Sequence, residues 1–124
     1  MLRLNNHNHQ QQNSKNSTLI KTIMTNVQFD NIRGWADARN LIEGSKPINQ
    51  ISKLVEELGE LATGVNKGKK DLIADGIGDA VVVLTILAKQ CDMNIEDCID
   101  LAWNEIKDRK GRMVDGIFIK EEDL

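Results

Sequence analysis

The stretch that most constrains this chain is residues 53–91, KLVEELGELATGVNKGKKDLIADGIGDAVVVLTILAKQC. It predicts two helices joined by a short basic loop, with carboxylates at helical spacing on both. Glu56, Glu57 and Glu60 lie on the first, Asp75 and Asp79 on the second. On the first helix Ile51, Leu54, Leu58, Leu61, Ala62 and Val65 fall within about 80° of one another and form the expected core stripe. Glu57 and Glu60 border that stripe, and Glu56 lies further toward solvent. On the second helix residues 80–88 are apolar everywhere except Thr85, which predicts cover on all sides. Asp75 and Asp79 share a face with Val82, Val83 and Ile86, so two carboxylates stand in line with side chains expected to be buried. A buried carboxylate is costly unless it is paired or bound to metal.

Lys67, Lys69 and Lys70 can pair with some of these acids but not with all. Clustered carboxylates without histidine or thiolate suit a hard cation, Mg²⁺ or Mn²⁺, with room for substrate phosphates. Such a cation removes the repulsion that otherwise raises carboxylate pKa values. A solvated acidic helix face is the plainer reading, and spacing alone leaves both open.

EELGEL at 56–61, the lysine-bearing loop and GDAVVVL at 78–84 together resemble the MazG-like, all-α nucleoside triphosphate pyrophosphohydrolases. The family pattern is ExxE on one helix and ExxD on the next. Glu57 and Glu60 match the first half and Asp79 the last position, whereas Gly76 stands at the third acid. Asp75, one residue earlier, is the expected substitute. The resemblance covers about residues 28–112 and implies Mg²⁺ (or Mn²⁺) held by Glu57, Glu60, Asp75 and Asp79. It further implies a water oriented by Glu56 or Glu60, and cleavage of a (d)NTP between the α- and β-phosphates to monophosphate and pyrophosphate. Trp35 and Arg39 become candidates for the nucleoside side, and Lys67 and Lys70 for the triphosphate. Asn104, Lys107 and Arg109, near the end of the last helix, match the family's Asn, Lys and Arg more loosely.

The flanks agree with a single all-α domain, a four-helix bundle-like unit of the all-α NTP pyrophosphatase type with a small C-terminal β-hairpin. The chain has 124 residues, enough for one modest core, and only 3% aromatic content points to Leu, Ile, Val and Ala as its filling. Residues 1–25, rich in Asn, Gln and Ser, predict a disordered arm, with His7 and His9 solvated in it and Met24 resembling a natural start. The helical domain is then 26–124. Asp30 is the expected N-cap of a helix through Trp35 to about Glu43, closed by Gly44. Pro47 opens the carboxylate helix, which ends near Gly68. Gly76 and Gly78 imply close helix approach, room for a ligand, or a helix that starts later. Asn94 is the expected cap of a last helix over 95–110, whose stripe is Ile95, Ile99, Ala102, Trp103 and Ile106. Asp115-Gly116 predicts a hairpin over about 113–120.

A net charge of −3 gives no reason to expect nucleic-acid binding. No stretch is apolar enough for a membrane span and no signal peptide is evident. Cys91 and Cys98 lack metal-site spacing and read as reduced, half-buried thiols in a cytoplasmic protein. A chain with so few aromatics has little wall for a base pocket. Homodimers or homotetramers are therefore expected, as in the family. The rivals are a non-catalytic helical module with an acidic face and a related metal-dependent nucleotide phosphohydrolase. A di-iron bundle needs Glu-x-x-His pairs that the chain lacks.

Overall fold

No glycine or proline interrupts residues 3–33, and the first helix, α1, runs through them from Arg3–Ala38. The computed structural model describes residues 3–124, with side chains described except at 3–11, 18 and 21–26. His7, His9 and Met24 fall among those exceptions, so what the sequence suggests for them lies outside the described residues. Helix thus stands where residues 3–25 predict a disordered arm, and Asp30 is in mid-helix instead of at a cap. The cause at Asp30 is local: its Oδ1 accepts from Arg33 Nη2 at 2.6 Å, one turn on.

The helix stops earlier than Glu43. Asn40 turns into the left-handed region with φ 56, Leu41 N–H donates to the Ala36 carbonyl at 2.9 Å, and a Cβ on Gly44 would run into Asn40. The chain then enters α2, Pro47–Asn66, with proline at its start and the Asn49 side chain accepting from Lys46 N–H at 3.0 Å. Gly68, at φ 63, forms the connection to α3, Lys70–Gln90. Helix α4 covers Ile95–Ile106. It is shorter than the expected 95–110, and Asn94 has the extended backbone of a cap without a side-chain bond. Strands β1, Gly111–Val114, and β2, Ile117–Lys120, pair antiparallel with Gly111 opposite Lys120 and Val114 opposite Ile117. Asp115 at φ 50 and Gly116 at φ 80 give the two positive angles that a two-residue hairpin turn requires.

Helices α2 and α3 form the closest pair, and two glycines explain the approach. A Cβ on Gly64 would lie 3.0 Å from Leu72 Cβ, and one on Gly76 would lie 3.0 Å from Leu61 Cβ. Gly78 faces open space. Close approach therefore accounts for one glycine and room for a ligand fits the other. The idea of a later helix start fails, because α3 begins at Lys70.

The apolar core consists of Ala36, Val83, Ile86, Ala88 and Ile95, where α1, α3 and α4 meet. Thr85 is fully buried there and its Oγ1 donates to the Val81 carbonyl at 2.7 Å. Arg33 Nη1 reaches Glu96 Oε1 at 2.7 Å and ties α1 to the start of α4. Its pKa is raised, first by the hydrogen bond to Glu96 and then by that to Asp30. Gln90 Nε2 donates to the Leu41 carbonyl at 3.1 Å, fixing the turn after α1. The expected α4 stripe is engaged only at its start: Ile95 is buried, whereas Ile99, Trp103 and Ile106 are exposed. Leu84 is the exposed member of the otherwise well-covered 80–88 run. Cys91 is exposed and Cys98 is partly so, both free; they line an apolar hollow of about 430 Å³ at the α3–α4 corner with Leu87 and Ile95. Among the described residues no helix is long and apolar enough to cross a membrane.

Candidate functional site

The face of α2 that meets α3 is not the one its apolar stripe predicts. Gln50, Glu57 and Gly64 are buried on it, with Leu54 and Leu61 part-buried between them as the one edge of the stripe it shares, while Ile51, Leu58 and Val65 are exposed. The glycine at 64 and its counterpart at 76 let the backbones approach along this more polar line, and Glu57 is drawn inside with them. Glu57 is 7% exposed. Its Oε1 accepts from Lys53 Nζ at 3.3 Å, and its Oε2 is buried with no hydrogen-bond partner.

Lys53 is a neighbour that no motif singles out. It stands four residues before Glu57, the spacing at which helical side chains of opposite charge meet. Its Nζ also lies 3.8 Å from Glu56 Oε2. The Lys53 ammonium is held above its usual pKa by the hydrogen bond to Glu57, with further support from the charges of Glu56, Glu57 and Glu60. None of the described ion pairs uses Lys67, Lys69 or Lys70, so the loop lysines do not neutralise the acids as the sequence suggested.

Asp75 and Asp79 are exposed, not buried. They lie on the face that Val83 and Ile86 continue, but cover over that face comes only further along α3, in the core. At the level of the two aspartates the face opens into a shallow hollow of about 590 Å³, walled by Gln28, Phe29 and Ile32 of α1 and by Gly78, Val81 and Val82. Glu56 and Glu60 are exposed on α2. Among the described residues no three His, Cys, Asp or Glu side chains stand together as a ready cation cage. The pairs Glu57/Glu60 and Asp75/Asp79 lie on the adjacent helices α2 and α3, which pack against each other. Gly76, where the third acid would stand, is packed against Leu61, so a side chain there would press on the α2 backbone.

The remaining candidates are spread around the fold. Trp35 is half-exposed and is not a core residue; the Arg39 guanidinium lies over its ring, 4.4 Å from the centroid, and Arg39 Nη1 donates to the Trp35 carbonyl at 3.0 Å. Lys70 lines a shallow polar hollow with Gly68 and Asp71 beside the α2–α3 loop, and Lys67 is exposed nearby. Arg109 Nη2 meets Glu105 Oε1 at 3.3 Å in a hollow shared with Glu121 and Glu122, and Asn104 and Lys107 are exposed. No described hydrogen bond or ion pair joins these last three to the carboxylates of α2 and α3. Gln28 and Phe29, beside the two aspartates, carry no sequence motif. Only the α1–α3 contact brings them forward.

Against this geometry, a family model for the MazG nucleotide pyrophosphohydrolase domain matches residues 46–114. The chain belongs to the MazG family. The match takes in the whole α2–α3 hairpin, α4 and the first strand, and so includes Glu56, Glu57, Glu60, Asp75 and Asp79. A Haemophilus phage HP1 (strain HP1c1) protein, named "Uncharacterized 18.2 kDa protein in rep-hol intergenic region", is 58% identical over 60 residues. That similarity covers 48% of this chain and 37% of the phage protein's length. No solved structure matches the chain.

Proposed function

We propose that the chain hydrolyses a nucleoside triphosphate between its α- and β-phosphates in a divalent-metal-dependent reaction, releasing monophosphate and pyrophosphate. The observation that carries this reading is the orphaned, buried Oε2 of Glu57 within the MazG-matched region. An unpartnered carboxylate oxygen in that position is an acceptor that a cation would satisfy. Glu57, with Glu60, Asp75 and Asp79, would hold Mg²⁺ or Mn²⁺, and all four offer the oxygen donors such ions prefer. When bound, the ion supplies positive charge against the phosphate oxygens.

The chain's own residues do the rest. Glu56 or Glu60, both solvent-facing, accepts the proton of the attacking water. Lys53 holds Glu57 through Oε1 and leaves Oε2 unengaged, while Lys67 and Lys70 would meet the triphosphate from the loop. Trp35, with Arg39 stacked on it, offers a flat surface to a base, and Asn104, Lys107 and Arg109 bind phosphate or sugar. Subunits pair as dimers or tetramers, in a soluble cytoplasmic setting without nucleic acid or membrane.

The test is pyrophosphate release across canonical and modified NTPs and dNTPs, with wild type beside Glu57→Gln and Glu60→Gln. Pyrophosphate formed by wild type and reduced at least 100-fold in both variants supports the reading. Orthophosphate as the product moves the cleavage site and favours a related phosphohydrolase. Gly76 favours a second reading, a non-catalytic helical module that uses the acids to bind a basic partner. It predicts no hydrolysis and no change of melting temperature with Mg²⁺.

A further inference from the structure

Lys53 stands between two of the carboxylates on α2. Its Nζ lies 3.3 Å from Glu57 Oε1 and 3.8 Å from Glu56 Oε2. A lysine placed four residues before a glutamate is the weaker order for an ion pair on a helix, because each charge then faces the unfavourable end of the helix dipole. The Lys53 side chain is also 53% exposed, so the contact adds little to stability. Its effect falls on Glu57, whose side chain is 9% exposed. The two oxygens of that carboxylate are unlike. Oε1 is taken by the ammonium, and Oε2 is buried with no hydrogen-bond partner. None of the described ion pairs engages Glu60, Asp75 or Asp79. Of the four candidate ligands, Glu57 is thus the one with an oxygen already tied to a cation of the chain itself.

We propose that Lys53 is a positioning residue that sets which divalent ion this site takes, by leaving Glu57 one oxygen to offer. The inference rests on the divalent-metal reading above and adds a preference to it. A carboxylate with both oxygens free can clasp a cation with two or meet it with one. Ca²⁺ uses either mode within a flexible shell of about six to eight oxygens, whereas Mg²⁺ is smaller and demands near-octahedral geometry. The narrow bite of a two-oxygen clasp suits the first ion and not the second. With Oε1 held by the ammonium, Glu57 meets an ion through Oε2, which leaves Mg²⁺ unaffected and denies Ca²⁺ a ligand. The charge of Lys53 gives no such preference. Removing it strengthens the site for both ions alike, since both carry two charges. Only the ratio of the two affinities reports which oxygens are in use.

Titration calorimetry of the full chain with magnesium chloride and, separately, calcium chloride gives that ratio with no nucleotide present. Lys53→Met, close in length but with nothing to donate, should shift the ratio toward Ca²⁺ by about tenfold. That is the factor of one hydrogen bond to a charged group at the low end of its range. Lys53→Arg, which can still occupy Oε1, should keep the wild-type ratio. Circular dichroism in EDTA checks that each variant holds its helices, and Lys53→Ala takes the place of Lys53→Met should that variant fail to fold. A lysine with a merely structural role, or one acting by charge alone, changes both affinities in parallel. An unchanged ratio in the neutral variant would therefore overturn the proposal and leave the metal reading standing. Binding of neither ion to wild type would remove the metal reading, and the proposal with it.

Discussion

Gly76 and Gly78 sit two residues apart in one helix, and replacing each by alanine should move stability in opposite directions. In both cases the substitution removes a glycine from a helix interior, a gain of about 1 kcal/mol. At Gly78 nothing lies within 4 Å of the new methyl, so the gain should appear almost whole. At Gly76 the methyl would meet Leu61 Cβ at 3.0 Å, Leu61 Cδ1 at 3.0 Å and Leu61 Cα at 3.3 Å. The Cδ1 contact relaxes by rotation, but Cα and Cβ move only with the α2 backbone. Overpacking of this kind costs about 1–3 kcal/mol, leaving a net loss of about 1 kcal/mol after the propensity gain. The two variants should therefore differ by roughly 2 kcal/mol, or about 1 M in urea midpoint at a typical m value near 2 kcal/mol per M. Urea unfolding followed by circular dichroism at one protein concentration measures it. Equal stabilisation by both alanines would refute the tight α2–α3 contact, and with it the reason given for the missing acid at position 76.

Two further predictions concern charge. The folded-state pKa of Lys53 is raised, so its contribution to stability is fully present below its unfolded value near 10.5 and is lost as pH rises through the folded value. Lys53→Gln should flatten the alkaline fall of the melting temperature above pH 10 relative to wild type. Arg33 is largely buried between Asp30 and Glu96. Arg33→Met should cost about 1.5–3 kcal/mol, the range for hydrogen bonds to charged groups, measured by the same urea titration. A loss no larger than that of an exposed surface pair would show that the α1–α4 tie carries little.

Local chemistry was the most legible part of the fold. Pro47 opens α2, Asp115-Gly116 turns the hairpin, and the acidic spacing with its flanks points to the family that the domain match then establishes. What escaped the sequence is how the elements pack. Periodicity identifies the apolar line of α2, yet only its Leu54 and Leu61 edge turns toward α3, because Gly64 and Gly76 bring the helices together along a neighbouring, more polar line while Ile51, Leu58 and Val65 face outward. For the same reason Glu57 is deeper than the wheel suggests, with Lys53 beside it. Asp75 and Asp79 lie on the predicted face, but a wheel has no depth coordinate and cannot say where cover ends. The length of α1 is hidden by its polar composition, although no helix breaker stands before Gly34. Asn40's left-handed turn, held by its bonds to Asp37 and Gly44, has no motif at all.

The connection between α2 and α3 is only residues 67–69, and this pair holds the larger part of the chain's interhelix contact. Closing so short a loop forfeits little chain entropy, and contacts between sequence neighbours form quickly. Helix α1 must search much further for its partners, since Arg33 reaches Glu96 across 63 positions. The α2–α3 hairpin is thus the unit able to assemble first and open last. The carboxylates Glu57, Glu60, Asp75 and Asp79 ride on that unit, so they are held in mutual register even when the ends of the molecule come loose.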